Sequence, residues 1–221
     1  MSLAYPVAIT AGIALAWWLR RLQPRDAPAV AAHGPLLMAA AAVGAVLGAY
    51  LGDLPAGWLG WDLGGGERFG GRTVLGGLLG GWLLVEGAKR LSGLRSPTGD
   101  GFAAPLAAAL ACGRVGCALA GCCGPSWTTL VEIAFHAGAA ALLLLAAFRG
   151  WQPGRRLAIY LALYAVLRLA LEAWRGHPPV ALGLTWYQFL ALALLLLAGG
   201  TWLRRQRGGS PTAPAMTSSA K

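Results

Sequence analysis

Charge is what this sequence has least of. Asp, Glu, Lys and Arg together make up 12% of its 221 residues, only eight of them are acidic, and the mean hydropathy is +0.60. That balance lies outside the range of water-soluble domains, and no polar stretch is long enough to form a separate soluble unit. The net charge of +10 does not mark a nucleic-acid binder, because the basic residues fall in short clusters between apolar runs, as topology signals do. Cysteine is confined to Cys112, Cys117, Cys122 and Cys123, in or beside one apolar segment, which excludes the disulfide framework of a small secreted domain. No glycine-rich stretch ends in the Lys-Ser/Thr of a phosphate-binding P-loop. The two halves also lack the evident internal repeat found in many transporters.

What the chain does have is apolar length. Seven segments, at about 3–19, 35–52, 73–88, 102–122, 128–148, 157–174 and 183–203, each approach the roughly 20 residues that a helix needs to cross a bilayer. They predict an all-α, polytopic membrane protein with one transmembrane helical domain over 1–207 and a disordered cytoplasmic tail over 208–221. The first segment has no basic residue before it and Arg20, Arg21 and Arg25 after it, the reverse of a signal peptide, so it is expected to be retained.

The remaining basic residues alternate in the same sense. Lys89, Arg90 and Arg95, then Arg149, Arg155 and Arg156, then Arg204, Arg205, Arg207 and Lys221 bring one side to thirteen, against Arg68, Arg72 and Arg175 on the other. The positive-inside rule then predicts an N-terminus outside and a C-terminus in the cytoplasm.

Arg114 and Arg168 belong to neither side. They lie within apolar segments, as do Glu86, Glu132, Glu172 and His136. Ionisable groups at membrane depth normally face a protein interior and have a partner, and function is the first reading for them. An ion pair is the plainer alternative, with Glu132 or Glu86 as the partner of Arg114. The segment "YAVLRLALEAWR" places Tyr164, Arg168, Glu172 and Arg175 at steps of four, four and three, one above another on one helix face. Arg168 and Glu172 neutralise each other on one reading; on the other, two arginines in one stripe leave an excess of positive charge that suits an anion, and a forked guanidinium fits phosphate oxygens well.

Nine glycines lie between Gly64 and Gly81. Gly80 and Gly81 read as a close helix contact, and Gly70-Gly71-Arg72 as a turn beside a charged headgroup. Cys112, Cys117 and Cys122 recur every five residues, about 140° apart around a helix, and so do not gather about one metal. They read as packing residues. Cys122 and Cys123, where the helix breaks at Gly124-Pro125, are the candidate reactive thiols.

These motifs carry a resemblance. "DGFAAPLAAALAC" running into "GRVGCALAGCCG", followed by Tyr164, Arg168, Glu172 and Arg175 and then by "GLTWYQ", is similar to the prolipoprotein diacylglyceryl transferases over roughly residues 40 to 200. The resemblance implies a multi-pass enzyme of the bacterial cytoplasmic (inner) membrane. Such an enzyme moves the diacylglyceryl group of phosphatidylglycerol to a lipobox cysteine thiol of a prolipoprotein, with glycerol phosphate leaving and no metal or organic cofactor. It implies Arg114, Arg168, Glu172 and Tyr164 as catalytic residues, and Gly113, Gly116, Gly121, Gly76, Gly77, Arg72, Arg175 and Gln188 as the substrate-binding set. The sequence departs from the family pattern in three places. Leu75 stands where the family has the histidine of a His-Gly-Gly motif, Cys117, Ala120 and Cys122 replace family asparagines and a glutamate, and the loop after Gly124 is short. A non-catalytic or differently specific phospholipid-binding or lipid-moving protein on the same scaffold is therefore the second reading.

Overall fold

The computed structural model describes residues 3–24, 28–55, 72–121 and 125–207. The candidate thiols Cys122 and Cys123 lie outside the described residues, as do Arg25, Glu67, Arg68, Gly70, Gly71, Gly124 and the expected tail. Each of the seven apolar segments carries one long helix: α1 (Ala4–Leu22), α3 (Gly34–Leu51), α4 (Val74–Leu91), α5 (Asp100–Ala120), α6 (Ser126–Phe148), α7 (Arg156–Glu172) and α8 (Trp186–Arg207). Two features were not expected. A one-turn α2 (Pro28–Ala32) precedes α3, and an antiparallel pair, β1 (Pro179–Ala181) with β2 (Leu184–Thr185), joins α7 to α8.

Four of these helices, Gly34–Leu51, Asp100–Ala120, Ser126–Phe148 and Trp186–Gln206, are long and apolar enough to cross a membrane. The outward faces of these helices and of α7 are aliphatic: Val43 and Leu47 on α3, Leu142 on α6, Leu163 and Val166 on α7 and Leu196 on α8 are all more than half exposed. In water such a surface would aggregate, whereas in lipid it costs nothing. The described helices are those of a polytopic membrane protein.

Because lipid tails are as apolar as leucine, the helices are held together by close packing rather than by hydrophobic transfer. α3 packs on α4, α5 on both α1 and α6, and α7 on α8. The α3–α4 seam is made of glycine: a Cβ at Gly48 would collide with the Gly76 carbonyl, and one at Gly80 with the Gly44 carbonyl. Gly77 and Gly81 face Ala45 and Ala41 across the same seam. Gly80 and Gly81 are thus packing residues, and Gly76 and Gly77, expected in the substrate set, occupy the same contact. On α5 the buried side is nearly all alanine (Ala103, Ala104, Ala107, Ala108), and Gly116 meets Ala8 and Tyr5 of α1. Leu75, Ala107, Tyr160, Leu161, Tyr164, Ala165, Ala191, Leu194 and Ala198 form the core between α4, α5, α7 and α8.

The two ends of the bundle differ chemically. At one end Asp100 accepts the backbone N–H groups of Gly154 and Arg156 and faces the Arg156 guanidinium at 3.9 Å, and Arg155 donates to the Arg205 carbonyl at 3.0 Å. Glu86 lies toward this end, sharing a largely apolar cavity of about 330 Å³ with Thr98, Leu157 and Arg205. Its partner is Lys89, at 2.8 Å, so Glu86 is not the ion-pair partner of Arg114. Lys89, counted as a loop cation, is buried in the last turn of α4. The other end holds the candidate site.

Candidate functional site

Glu132 stands at the centre of this site. It lies two turns into α6 and is fully buried, where a lone carboxylate would be prohibitively costly. Three guanidiniums surround it. Arg114 from α5 grips it sideways, Nε to Oε2 at 3.1 Å and Nη2 to Oε1 at 3.2 Å, the two-pronged geometry that suits a carboxylate. Arg175 reaches Oε2 at 2.6 Å, Arg168 Nε stands 3.8 Å from Oε1, and the Tyr164 hydroxyl donates to Oε1 at 3.5 Å. The charge at Arg114 therefore has a definite partner, and of the two expected alternatives it is Glu132.

The stripe on α7 converges as its spacing requires. Tyr164, Arg168 and Glu172 occupy successive turns. Arg175 stays on the same face because Trp174 and Arg175 donate their N–H groups back to Leu171 and Glu172, continuing the helical turn past the end of α7. Arg168 Nη2 lies 3.2 Å from Glu172 Oε2. Beyond Arg175, Gly176 takes φ +71°, a left-handed conformation open to glycine at little cost. The chain turns back there and sets His177 Nδ1 on Glu172 Oε1. Thr185 donates its hydroxyl to the same oxygen at 3.4 Å.

Among the described residues, three guanidiniums (Arg114, Arg168, Arg175) face two carboxylates (Glu132, Glu172), so this part of the buried network carries an excess of one positive charge. Burial holds the Arg175 guanidinium below its ordinary value, and the neighbouring Arg168 adds to this while Glu132 opposes it. The hydrogen bonds are also incomplete. Arg168 Nη1 and Arg175 Nε are buried and have no hydrogen-bond partner among the described residues. Buried N–H groups are nearly always paired, and an anion with several acceptor oxygens would satisfy both charge and donors.

The GLTWYQ motif supports this end of the bundle. Thr185 and Gln188 form a capping box on α8: the Thr185 hydroxyl accepts from Gln188 N at 3.2 Å, and Gln188 Oε1 accepts from Thr185 N at 2.9 Å. Gln188, expected in the substrate set, spends its carbonyl on this cap. Trp186 Nε1 donates to the Gly52 carbonyl at 2.6 Å and Tyr187 Oη to Asp53 at 2.8 Å, which pins the end of α3 to the start of α8.

Gly113 has open space where a side chain would be, and Gly121 closes α5 in the left-handed region at φ +64°. Arg72 is exposed, 5.1 Å above the Tyr50 ring. Leu75 is 1% exposed in the core, so this position contributes an aliphatic side chain and no titratable group.

Sequence reasoning singled out Glu132 as an intramembrane acid without placing it in the site, and it missed His177, Thr185 and Tyr160. Tyr160 holds His136 Nδ1 at 2.8 Å, one turn below Glu132. The capping box was legible as T-x-x-Q. His177 reaches Glu172 only because the chain reverses at Gly176, and the sequence carries no spacing signal for that.

No curated protein and no solved structure matches the chain. The family of prolipoprotein diacylglyceryl transferases matches it over residues 3–204, a span that includes every residue of the cluster. The chain therefore belongs to the prolipoprotein diacylglyceryl transferase family.

Proposed function

We propose that this protein transfers the diacylglyceryl group of phosphatidylglycerol to the cysteine thiol of a prolipoprotein in the bacterial cytoplasmic membrane. The observation that carries this reading is the pair of buried N–H groups on Arg168 and Arg175 that have no partner among the described residues, within a network whose described residues have positive charge in excess. A phosphodiester supplies the missing charge and acceptors. Arg114, Arg168 and Arg175 act as the headgroup clamp, with Arg168 Nη1 and Arg175 Nε toward the phosphate and Arg114 fixing Glu132 between them.

The thiol sulfur forms a bond to the terminal glyceryl carbon while the bond from that carbon to the phosphate oxygen breaks. Its electron pair leaves with glycerol phosphate. The guanidiniums stabilise the charge gathering on that oxygen, a preorganised arrangement that needs no movement of the donors. Glu172 holds Arg168 from the next turn of α7, and the Tyr164 hydroxyl holds Glu132.

Purified protein in mild detergent, given phosphatidylglycerol and a lipobox peptide, is expected to yield a diacylglyceryl thioether detected as a mass increase on the peptide. Arg168→Ala is expected to weaken phosphatidylglycerol retention about 10- to 100-fold, the value of charge-assisted hydrogen bonds to one group. Retention without transfer would favour the second reading, a phospholipid-binding protein without the chemistry. The aliphatic Leu75 at the position of the family histidine supports that reading.

The topology belongs to the same proposal: seven crossings in one domain over residues 1–207, with the N-terminus outside, the cluster toward the outer face and the chain after Arg207 in the cytoplasm. Thirteen basic residues on one side support it. Reporter fusions after Arg95, Arg155 and Arg207 should read cytoplasmic and one after His177 external; an external reading after Arg207 would overturn it.

A further inference from the structure

The transfer requires something to remove the thiol proton, and none of the three clamp arginines can accept one. We infer that His177 is the proton acceptor and that Glu172 is its positioning residue, an inference that rests on the proposed transfer.

The geometry is that of a carboxylate-oriented imidazole. His177 Nδ1 is hydrogen-bonded to Glu172 Oε1. A histidine that gives its Nδ1–H to a carboxylate presents the lone pair of Nε2 to substrate, and the carboxylate stabilises the imidazolium that forms. Glu172 is itself held, with Arg168 at 3.2 Å and the Thr185 hydroxyl at 3.4 Å. Its side chain is 1% exposed, whereas that of His177 is 24% exposed. The imidazole is thus open at the rim, where a peptide outside the bilayer could arrive, and anchored at the base. The Tyr187 ring lies 4.6 Å from the imidazole ring and is tied to Asp53, so α8 and the end of α3 limit its swing. Glu172 joins the two functions: one oxygen orients the imidazole, while the other pairs with the arginine that faces the phosphate.

In the step itself the S–H proton passes to His177 Nε2 as sulfur bonds to the glyceryl carbon and the C–O bond to phosphate breaks. The proton then leaves to the departing phosphate or to water. Among the described residues, Glu172 and Tyr187 of α8 contact this imidazole, Arg168 and Arg175 from its own segment act on Glu172, and Asp53 at the end of α3 holds Tyr187.

The test is transfer from phosphatidylglycerol to a lipobox peptide by full-length protein, comparing wild type with His177→Gln at pH 7 and pH 9. A general base contributes a hundredfold or more, so His177→Gln is expected to lower kcat about a hundredfold at pH 7 with phosphatidylglycerol retention unchanged. At pH 9 the peptide thiol ionises without help, and the deficit should shrink to within about tenfold. Equal kcat in both proteins at pH 7, or a deficit that is the same at both pH values, would overturn the inference and leave the transfer reading intact. Failure of wild type to transfer would overturn that reading, and this inference with it. If His177→Gln melts in detergent, His177→Ala with added imidazole answers the same question: restored transfer is expected, and none despite retained lipid would overturn the inference.

Discussion

Glu132→Gln is expected to lower stability in detergent by about 3–5 kcal/mol, the range for breaking a buried ion pair by removing one partner. The substitution is nearly isosteric, so the loss is electrostatic. With Glu132 charged, three guanidiniums face two carboxylates; with glutamine they face only Glu172, and the excess rises from one positive charge to two. Glutamine also presents an NH2 group where Glu132 offers an oxygen to Arg114 or Arg175. An anion would supply part of what was lost, so phosphatidylglycerol should raise the melting temperature of Glu132→Gln more than that of wild type. Equal melting temperatures for the two proteins without lipid would show that Glu132 is not the hub of this network.

Arg114→Ala is expected to have an effect of similar size with the opposite charge balance. It removes both prongs from Glu132, the Nε contact at 3.1 Å and the Nη2 contact at 3.2 Å, leaving Arg175 and the more distant Arg168 to neutralise it. A loss of about 3–5 kcal/mol follows from the uncompensated burial. The positive excess also falls to zero, so phosphatidylglycerol retention should drop in whatever fraction remains folded. Arg114→Lys separates the two effects, since an ammonium keeps the charge and loses the fork. It should recover part of the stability and less of the lipid retention. The check is to measure thermal stability and co-purified lipid on the same sample. Normal lipid retention in well-folded Arg114→Ala would remove Arg114 from the headgroup clamp.

The sequence by itself determined the membrane class, the position of each long helix and the face of α7 on which its ionisable side chains align. Each of these is a local property. Hydropathy over about 20 residues needs no partner to be read, and steps of four, four and three align Tyr164, Arg168, Glu172 and Arg175 on any α-helix. Arg114 could likewise be recognised as a charge in need of a partner, because its cost in an apolar segment is a property of the residue and its neighbours.

Only the tertiary structure decided which partner. Glu86 and Glu132 were equivalent in sequence, and they separate because the packing of α5 on α6 brings Arg114 to Glu132 while Lys89, one turn along α4, takes Glu86. Gly76 and Gly77 were aligned with a functional motif, yet the approach of α3 turns them into a helix seam. His177 lies five residues from Glu172 across a left-handed glycine, and no helical or strand period brings such residues together. Long-range pairings of this kind follow from helix docking and chain reversal, and no window of neighbouring residues contains them.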